Sequence, residues 1–485
     1  MEKLYLAKEI RKLDKLAMDQ ERISSLALIN RAAKSALDLL LDRWPTTRNV
    51  AVICGSGNNG SDGLVLAALL ADRGVNAAIC LVDTTFQQGS DFEKALIMCK
   101  DREVGFSNIE VALEEADVVV DAILGTGLSR PVEGRLAEII EKVNEKDAPV
   151  LSIDIPSGLC SDTGARRGSC ISATLTITYI GAKLGLYTGD GPSLAGEIVF
   201  DSLAVPQSIY SKVGFAARVL EIESMISRLP IRGPTSHKGS HGHVLVVGGD
   251  EGMGGAAMMA AEAALYSGAG LVSLATHPTN VSAVLSRRPE IMVKGVMRPA
   301  EFAELIERAT VIVLGPGLGT DSWGEQIFKE TVVVEKPLIL DADGLNCLAA
   351  SPCKRKNWIL TPHPGEARKL LSKDVQFDRL SAVRKISAAF SSTTILKGAG
   401  TLISDEKGII GLCPFGNPGM AVGGMGDVLA GVIGALVAQG ITISESAQLG
   451  AVIHSCAADE LLKKQGIRGM LATDLLPEIR RLLNS

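Results

Sequence analysis

The run Gly416-Asn417-Pro418-Gly419-Met420-Ala421-Val422-Gly423-Gly424-Met425-Gly426-Asp427 ends where an apolar stretch, Val428 to Ile441, begins. Glycines at a helix N-terminus leave backbone N–H groups free for an anion, and Asp427 is then aimed at whatever hydroxyl lies beside a transferred phosphate. The spacing predicts an anion hole with a catalytic base, against the alternative that Asp427 only caps its helix. Gly315-Pro316-Gly317-Leu318-Gly319 and Asp341-Ala342-Asp343-Gly344-Leu345-Asn346 each follow an apolar run. Thr361-Pro362-His363-Pro364-Gly365-Glu366 brings an imidazole and a carboxylate to another, and Lys397-Gly398-Ala399-Gly400-Thr401 offers phosphate a cation and backbone donors.

The first half carries similar turns. Cys54 to Gly63 packs four glycines with Asn58, Asn59 and Asp62. Asp121 to Pro131 is a second turn, Asp154-Ile155-Pro156-Ser157-Gly158 a third, and Gly181-Ala182-Lys183-Leu184-Gly185 a weaker fourth. Any one glycine turn can be plain chain reversal; together they favour a site. The first departs from G-x-G-x-x-G, because the third glycine falls at Gly60 rather than at Asn58 or Ser61, so hydride transfer on a dinucleotide fingerprint is not supported. Hard oxygen donors from Asn59, Asp121 and Ser157 suit an alkali or alkaline-earth cation better than zinc. His237, His241 and His243 match no zinc spacing and, with Lys238, Gly239 and Gly242, read as a basic glycine loop near phosphates. His277 and His454 read as satisfied core or surface histidines.

These turns need strands and helices to hold them. Asn49 to Cys54, Ala77 to Val82, Asp117 to Leu124 and Pro149 to Ile155 read as buried strands. Leu64 to Arg73 (closed by Gly74), Ser90 to Arg102 and Gly134 to Glu145 read as helices between them. Ala7 to Leu41 reads as one or two amphipathic helices outside the sheet, Thr174 to Tyr179 as sheet-like and Gly181 to Gly196 as irregular. A second rhythm places strands at His243 to Val247, Leu271 to Ala275, Val311 to Leu314, Pro337 to Leu340, Trp358 to Leu360 and Thr394 to Leu396. Strands alternating with helices imply mostly parallel sheets covered on both faces. Two α/β domains in tandem are expected, joined within Tyr210 to Pro230.

Composition agrees with that class. The chain has 485 residues, 46% hydrophobic and 21% charged, with 51 Gly and 4% aromatics, the balance of a soluble α/β protein. A net charge of −6 argues against a protein that coats nucleic acid or an anionic membrane. Nine cysteines, an odd number without a C-x-x-C pair, suggest reduced thiols and a cytoplasmic location. The charged N-terminus lacks a signal peptide's apolar stretch, and Val428 to Ile441 is too short to span a bilayer.

The motifs GSGNNGSDG, VVDAILGTGLSRP and DIPSG, followed by HKGSHGH, GPGLG, HPGEARKLL, KGAGT and GNPGMAVGGMGD, carry a resemblance over nearly the full length. The chain resembles the bifunctional NAD(P)H-hydrate repair enzymes. In these a Rossmann-like three-layer α/β/α NAD(P)HX epimerase domain, here 1–215, precedes a ribokinase-like ADP-dependent NAD(P)HX dehydratase domain, here 220–485. The resemblance implies that R and S hydrates are interconverted and the S form dehydrated with ADP, giving AMP and phosphate. It implies that the hydrate is held by Asn58, Asn59, Gly60, Ser61, Asp62, Gly125, Thr126, Gly127, Leu128, Ser129, Arg130, Pro131 and Asp154. Asn59, Asp121 and Ser157 would bind potassium. In the second domain Gly317, Gly319, His363 and Asp427 would face the hydrate, and Lys397, Gly398, Ala399, Gly400, Thr401 and Gly426 the adenine nucleotide, with magnesium accompanying ADP. The partners expected are NADHX, NADPHX and ADP, without nucleic acid or membrane, in a homo-oligomer. The family usually has glycine where Ser61 stands, aspartate at Cys160 and a small hydroxyl residue at Val422.

Epimerisation needs reversible ring opening, or loss and return of water, with one acid and one base; Asp154 and Lys183 are the candidates. The rival readings are a plain small-molecule kinase and a first domain that only binds a protein partner. A requirement for ADP with release of unphosphorylated product decides against the first, and retention of Asn59, Asp121, Asp154 and Ser157 argues against the second.

Overall fold

A computed structural model describes residues 2–83, 85–128, 130–405 and 407–485, without the side chains of 299 and 300. The chain divides into two compact units, Glu2–Arg218 and Val219–Ser485.

In the first unit seven strands lie in the spatial order Gly105–Phe106, Asn76–Leu81, Asn49–Cys54, Val118–Ala122, Val150–Ile153, Leu175–Tyr179 and Glu197–Asp201, with every neighbouring pair parallel. The central strands are buried on both faces, so they read as continuous β-branched runs. Val50, Val52 and Cys54 point into one core, beneath helices Ala7–Glu21, Ser25–Arg43, Asn58–Asp72 and Asp91–Asp101. Ala51 and Ile53 point into the other, beneath Ile109–Glu114 and Arg135–Glu145. This is a three-layer α/β/α unit. Local capping sets the helix starts: Ser24 accepts the Ala27 N–H and Ser90 the Glu93 N–H.

Helix Asn58–Asp72 begins six residues before the Leu64 expected from its apolar pattern. Its glycines serve close approach rather than chain reversal. A Cβ at Gly60 would lie 1.8 Å from the Gly55 carbonyl oxygen, so only glycine lets the helix start against that turn. The segment expected to be irregular holds a short strand, Ala182–Lys183, and two single-turn helices, Leu184–Tyr187 and Gly191–Leu194.

In the second unit the strands run Met292–Gly295, Leu271–Thr276, His243–Val247, Val311–Leu314, Leu338–Leu340, Trp358–Leu360 and Thr393–Leu396 in parallel order, then Thr401–Ser404 and Ile410–Cys413 antiparallel. Met292–Gly295 escaped the sequence reading because it is a half-exposed edge strand without an apolar run. Val244, Val246, Val311 and Val313 share one core with helices Gly254–Tyr266, Met425–Ala438 and Ile443–Gln465. Helix Met425–Ala438 is apolar because it is buried there. No helix among the described residues is long and apolar enough to cross a membrane.

Candidate active sites

Each unit gathers its turns at the carboxyl ends of its strands, where helix N-termini open toward a ligand. In the first unit they surround a cavity of about 1060 Å³ lined by Asn58, Asn59, Asp62, Gly125, Thr126, Gly127, Leu128, Asp154 and Lys183. Gly60 and Ser61 lie behind this wall in the first turns of the helix, Ser61 donating to the Gly57 carbonyl at 3.2 Å. Arg130 and Pro131 are exposed and do not line the cavity, and Ser129 lies outside the described residues.

Asp154 follows strand Val150–Ile153 with φ +68, a left-handed conformation that a non-glycine residue keeps only when its surroundings enforce it. Its amide donates to the Ile177 carbonyl at 2.7 Å, and its carboxylate pairs with Lys183. The Lys183 side chain is 1% exposed and also donates to the Tyr179 carbonyl at 2.9 Å, so a buried ammonium is held between two oxygens. Burial pushes the Asp62 carboxyl far above its usual range, with Asp154 adding to the rise and Lys183 opposing it. The sequence reading missed Asp14, which also lines the cavity. Asp14 follows Ile10 by four residues on the helix whose buried stripe is Ile10, Leu13 and Ala17, but in sequence it is one more charge among several.

Asp121 is fully buried. Its carboxylate accepts from Ser152 Oγ (2.8 Å), Ser157 N (2.8 Å) and Ser157 Oγ (2.6 Å). Ser157 Oγ in turn accepts the Leu124 N–H at 2.8 Å, and an added Cβ at Gly125 would touch Asn59 at 3.6 Å. Asn59, Asp121 and Ser157 therefore border one turn, 123–125. Asn59 is 8% exposed, yet neither its Oδ1 nor its Nδ2 has a partner. A buried amide left unsatisfied asks for a ligand. Among the described residues no three His, Cys, Asp or Glu side chains are grouped to hold a metal ion.

In the second unit Lys397 is the hub. Its Nζ donates to Asp341 Oδ1 at 2.7 Å and lies 3.8 Å from Glu366 Oε2. Thr361 Oγ1 donates to the same Asp341 oxygen at 2.7 Å. Burial works against the Lys397 charge, but Asp341 and Glu366 outweigh it and raise its pKa. Burial, reinforced by Asp341 and opposed by Lys397, pushes the Asp427 carboxyl up to about 7. Burial likewise lifts Glu366 to about 7, with Lys397 opposing. A Cβ at Gly426 would lie 3.1 Å from both Asp341 Oδ2 and Lys397 Nζ, so a glycine lets the helix enter this charged cluster.

Asp427 is the third residue of helix Met425–Ala438, whose cap position is Gly424 and whose first N–H groups receive no side-chain cap. Gly319 N donates to Asp343 Oδ2 at 3.0 Å, which ties the Gly315–Gly319 turn to the same cluster. Gly317 has φ +59. His363 caps helix Pro364–Leu371: its Nδ1 accepts the Gly365 N–H at 2.9 Å, leaving Nε2 to carry the proton 3.4 Å from Glu366 Oε1. Burial, then Lys397, lowers its pKa. Lys397, Gly398, Ala399 and Gly400 connect two strands, and Thr401 opens the second with Oγ1 on the Gly398 carbonyl at 2.9 Å. Arg379, 3% exposed and missed in the sequence, supports this loop by donating to the Leu396 and Lys397 carbonyls, both at 3.2 Å.

Of the histidine-rich loop, Lys238–His241 forms a short turn before the sheet, whereas His243 is the first residue of a strand, its Nε2 bonded to Ser273 Oγ at 2.8 Å. His454 is buried, but its Nε2 lacks a partner, so it is not the satisfied core histidine expected.

The family described as NAD(P)H-hydrate dehydratase matches residues 244–481, and the family described as YjeF-related protein N-terminus matches 25–185. A bifunctional NAD(P)H-hydrate repair enzyme of Coxiella burnetii is 44% identical over 485 residues, 99% of each chain. The chain belongs to the bifunctional NAD(P)H-hydrate repair enzymes. The Escherichia coli repair enzyme is 38% identical over 99% of this chain and 94% of its own. A ribokinase-like superfamily protein of Enterococcus faecalis matches 56% of this chain and 96% of its own, with 30% identity and a TM-score of 0.52. Repair of the hydrated dinucleotide thus divides between an epimerase domain and a ribokinase-like dehydratase domain.

Proposed function

We propose that the cavity of the first unit interconverts the R and S hydrates of NADH and NADPH, and that the Lys397 cluster dehydrates the S form with ADP. The observation that carries this reading is a pair of separate buried ammonium–carboxylate centres, Lys183–Asp154 and Lys397–Asp341, each at the mouth of its own sheet.

The epimerised carbon carries a hydroxyl next to the ring nitrogen. Asp62, whose carboxyl burial pushes far above its usual range, gives a proton to that hydroxyl. The C–O bond then breaks while the nitrogen lone pair forms a C=N bond and water leaves. Water returning to the other face gives up its proton to Asp154, and the product has the opposite configuration. In the second unit Asp427 takes the proton of the same hydroxyl as its oxygen attacks the terminal phosphorus of ADP and AMP departs. Phosphate is a far better leaving group than hydroxide. Breaking the C–O bond while the departing phosphate takes the neighbouring ring proton forms the C=C bond, restores the conjugated dinucleotide and releases phosphate. Phosphoryl transfer asks for positioning and charge neutralisation, which Lys397, the uncapped N–H groups before Asp427 and the Lys397–Thr401 loop supply. Magnesium would arrive with the diphosphate and would offset the excess of carboxylates over Lys397 in this cluster.

Potassium would be held by Asn59, Asp121 and Ser157, where it would fix the 123–125 turn that forms part of the cavity. The unpartnered amide of Asn59 supports this. Potassium chloride should raise the melting temperature of the first unit above its value in choline chloride, because an ion that binds only the folded chain stabilises it. Asn59→Ala should abolish the difference, and an undiminished potassium response in that variant would remove Asn59 from the ion site.

A fragment beginning at Val219 should fold and dehydrate the S hydrate alone, because the second unit has its own core and its own charged cluster. Circular dichroism and recovery of reduced-nicotinamide absorbance check this. A folded fragment that is inert toward the S form would show that this site is incomplete by itself.

A further inference from the structure

Asp14 lies on helix Ala7–Glu21, upstream of the segment 25–185 matched by the N-terminal family. Its helix brings Ile10, Arg11, Asp14 and Met18 to the cavity that Asp62, Asp154 and Lys183 also line. Three carboxyl groups therefore line one cavity with the buried Lys183 ammonium, which is paired with Asp154 and can balance one carboxylate charge. Burial pushes Asp14 up to about 6, with Lys183 opposing the rise and Asp154 adding to it. The other titratable groups facing it are Asp62 on helix Asn58–Asp72, the Tyr179 and Tyr210 phenols, and Arg11 on its own helix. Both phenols are pushed up by burial and stay neutral in the range where Asp14 changes charge.

We propose that Asp14 is a positioning residue of the epimerase site, whose negative charge draws on Lys183 and so leaves Asp154 free to take the substrate's proton. This rests on the assignment of the cavity to epimerisation. With Asp14 neutral, the ammonium is committed to Asp154 alone and the base is tied up. With Asp14 ionised, Lys183 is shared between two carboxylates, and Asp154 keeps an oxygen for the proton of the returning water. The sign follows: epimerisation speeds up as pH rises through the Asp14 transition and levels off above it.

The test follows R-to-S interconversion by chromatography in the full chain, without ADP, from pH 5 to 8, with the uncatalysed rate subtracted. Wild type should step upward near pH 6. Asp14→Asn should lose the step and run about tenfold slower above it, the effect of about one unit in proton affinity, while dehydration of the S form stays at the wild-type rate. Asp14→Glu should restore the step, and this keeps the test decisive if the asparagine variant melts early. An Asp14→Asn profile that matches wild type in step and rate overturns the proposal, as does a wild type without a step. Asp154→Asn separates the two ideas. If it too interconverts the hydrates normally, the cavity is not the epimerase site; if it is inert while Asp14→Asn behaves as wild type, only the role of Asp14 falls.

Discussion

Asp427→Asn should lower dehydration of the S hydrate by roughly 10²–10⁴, the contribution of a positioned general base, with little change in affinity for ADP. Asparagine keeps the size and much of the hydrogen bonding of aspartate but cannot take the hydroxyl's proton. On the proposed reading nucleotide affinity rests on Lys397, the Lys397–Thr401 loop and the helix N–H groups, none of which is altered. The fold should not suffer. Burial raises the Asp427 carboxyl to about 7, so its folded pKa lies above the unfolded one, and its contribution to stability is fully present below about pH 4 and lost as pH rises through 7. Replacing it should leave thermal stability at pH 8 equal to wild type or above it. The same shift sets the pH profile: the base must be ionised, so dehydration in wild type should rise through pH 7 and then plateau. The variant should turn either pure epimer into a stable mixture and regenerate almost no dinucleotide. Dehydration within a few-fold of wild type would reduce Asp427 to a first-turn carboxylate that favours its helix. Simultaneous loss of epimerisation would mean that the two sites are not independent.

Asp154→Asn should be the most damaging single change in the first unit, in both activity and stability. Lys183 is 1% exposed, and without its carboxylate it is a buried ammonium held by the Tyr179 carbonyl. Removing one partner of a buried pair costs about 3–5 kcal/mol, which lowers the melting temperature of a unit this size by on the order of 10 °C. Epimerisation should fall by at least about 10² with loss of the base. The double variant Asp154→Asn/Lys183→Met removes both charges, so it should regain most of the stability and none of the epimerisation. Recovery of both, or loss of neither, would make the pair purely structural. Calorimetry and chromatographic separation of the epimers check the two halves of the prediction.

Much of this was legible in the sequence because its signals are local. Apolar runs of strand length alternate with helix-length amphipathic stretches, and the strands Asn49–Cys54, His243–Val247, Val311–Leu314 and Trp358–Leu360 lie where those runs predict them. A strand buried on both faces must be apolar throughout, and that pattern survives in the linear chain. Asp154 stands out in the sequence because it directly follows such a run, and Asp427 because it opens an apolar helix; strand ends and helix starts are where ligands bind in α/β folds.

Tertiary structure alone decided which of these groups meet. Asp341, Thr361, Glu366 and Lys397 come from three strand ends and the helix that follows one of them, and only the order of strands in the sheet brings Lys397 to Asp341 and Glu366, and Thr361 to the same Asp341 oxygen. The early start of helix Asn58–Asp72 depended on the packing of Gly60 against the Gly55 carbonyl, a contact no helix propensity encodes. Asp14 reads in the sequence as one more charge on an amphipathic helix; its place in the cavity beside Lys183 and Asp62 follows from how that helix docks. Residue types and spacing determined which chemistry this chain can do. The fold decided which carboxylates share a buried ammonium, because burial and proximity, which set proton affinity, are properties of the packed structure and not of the chain order.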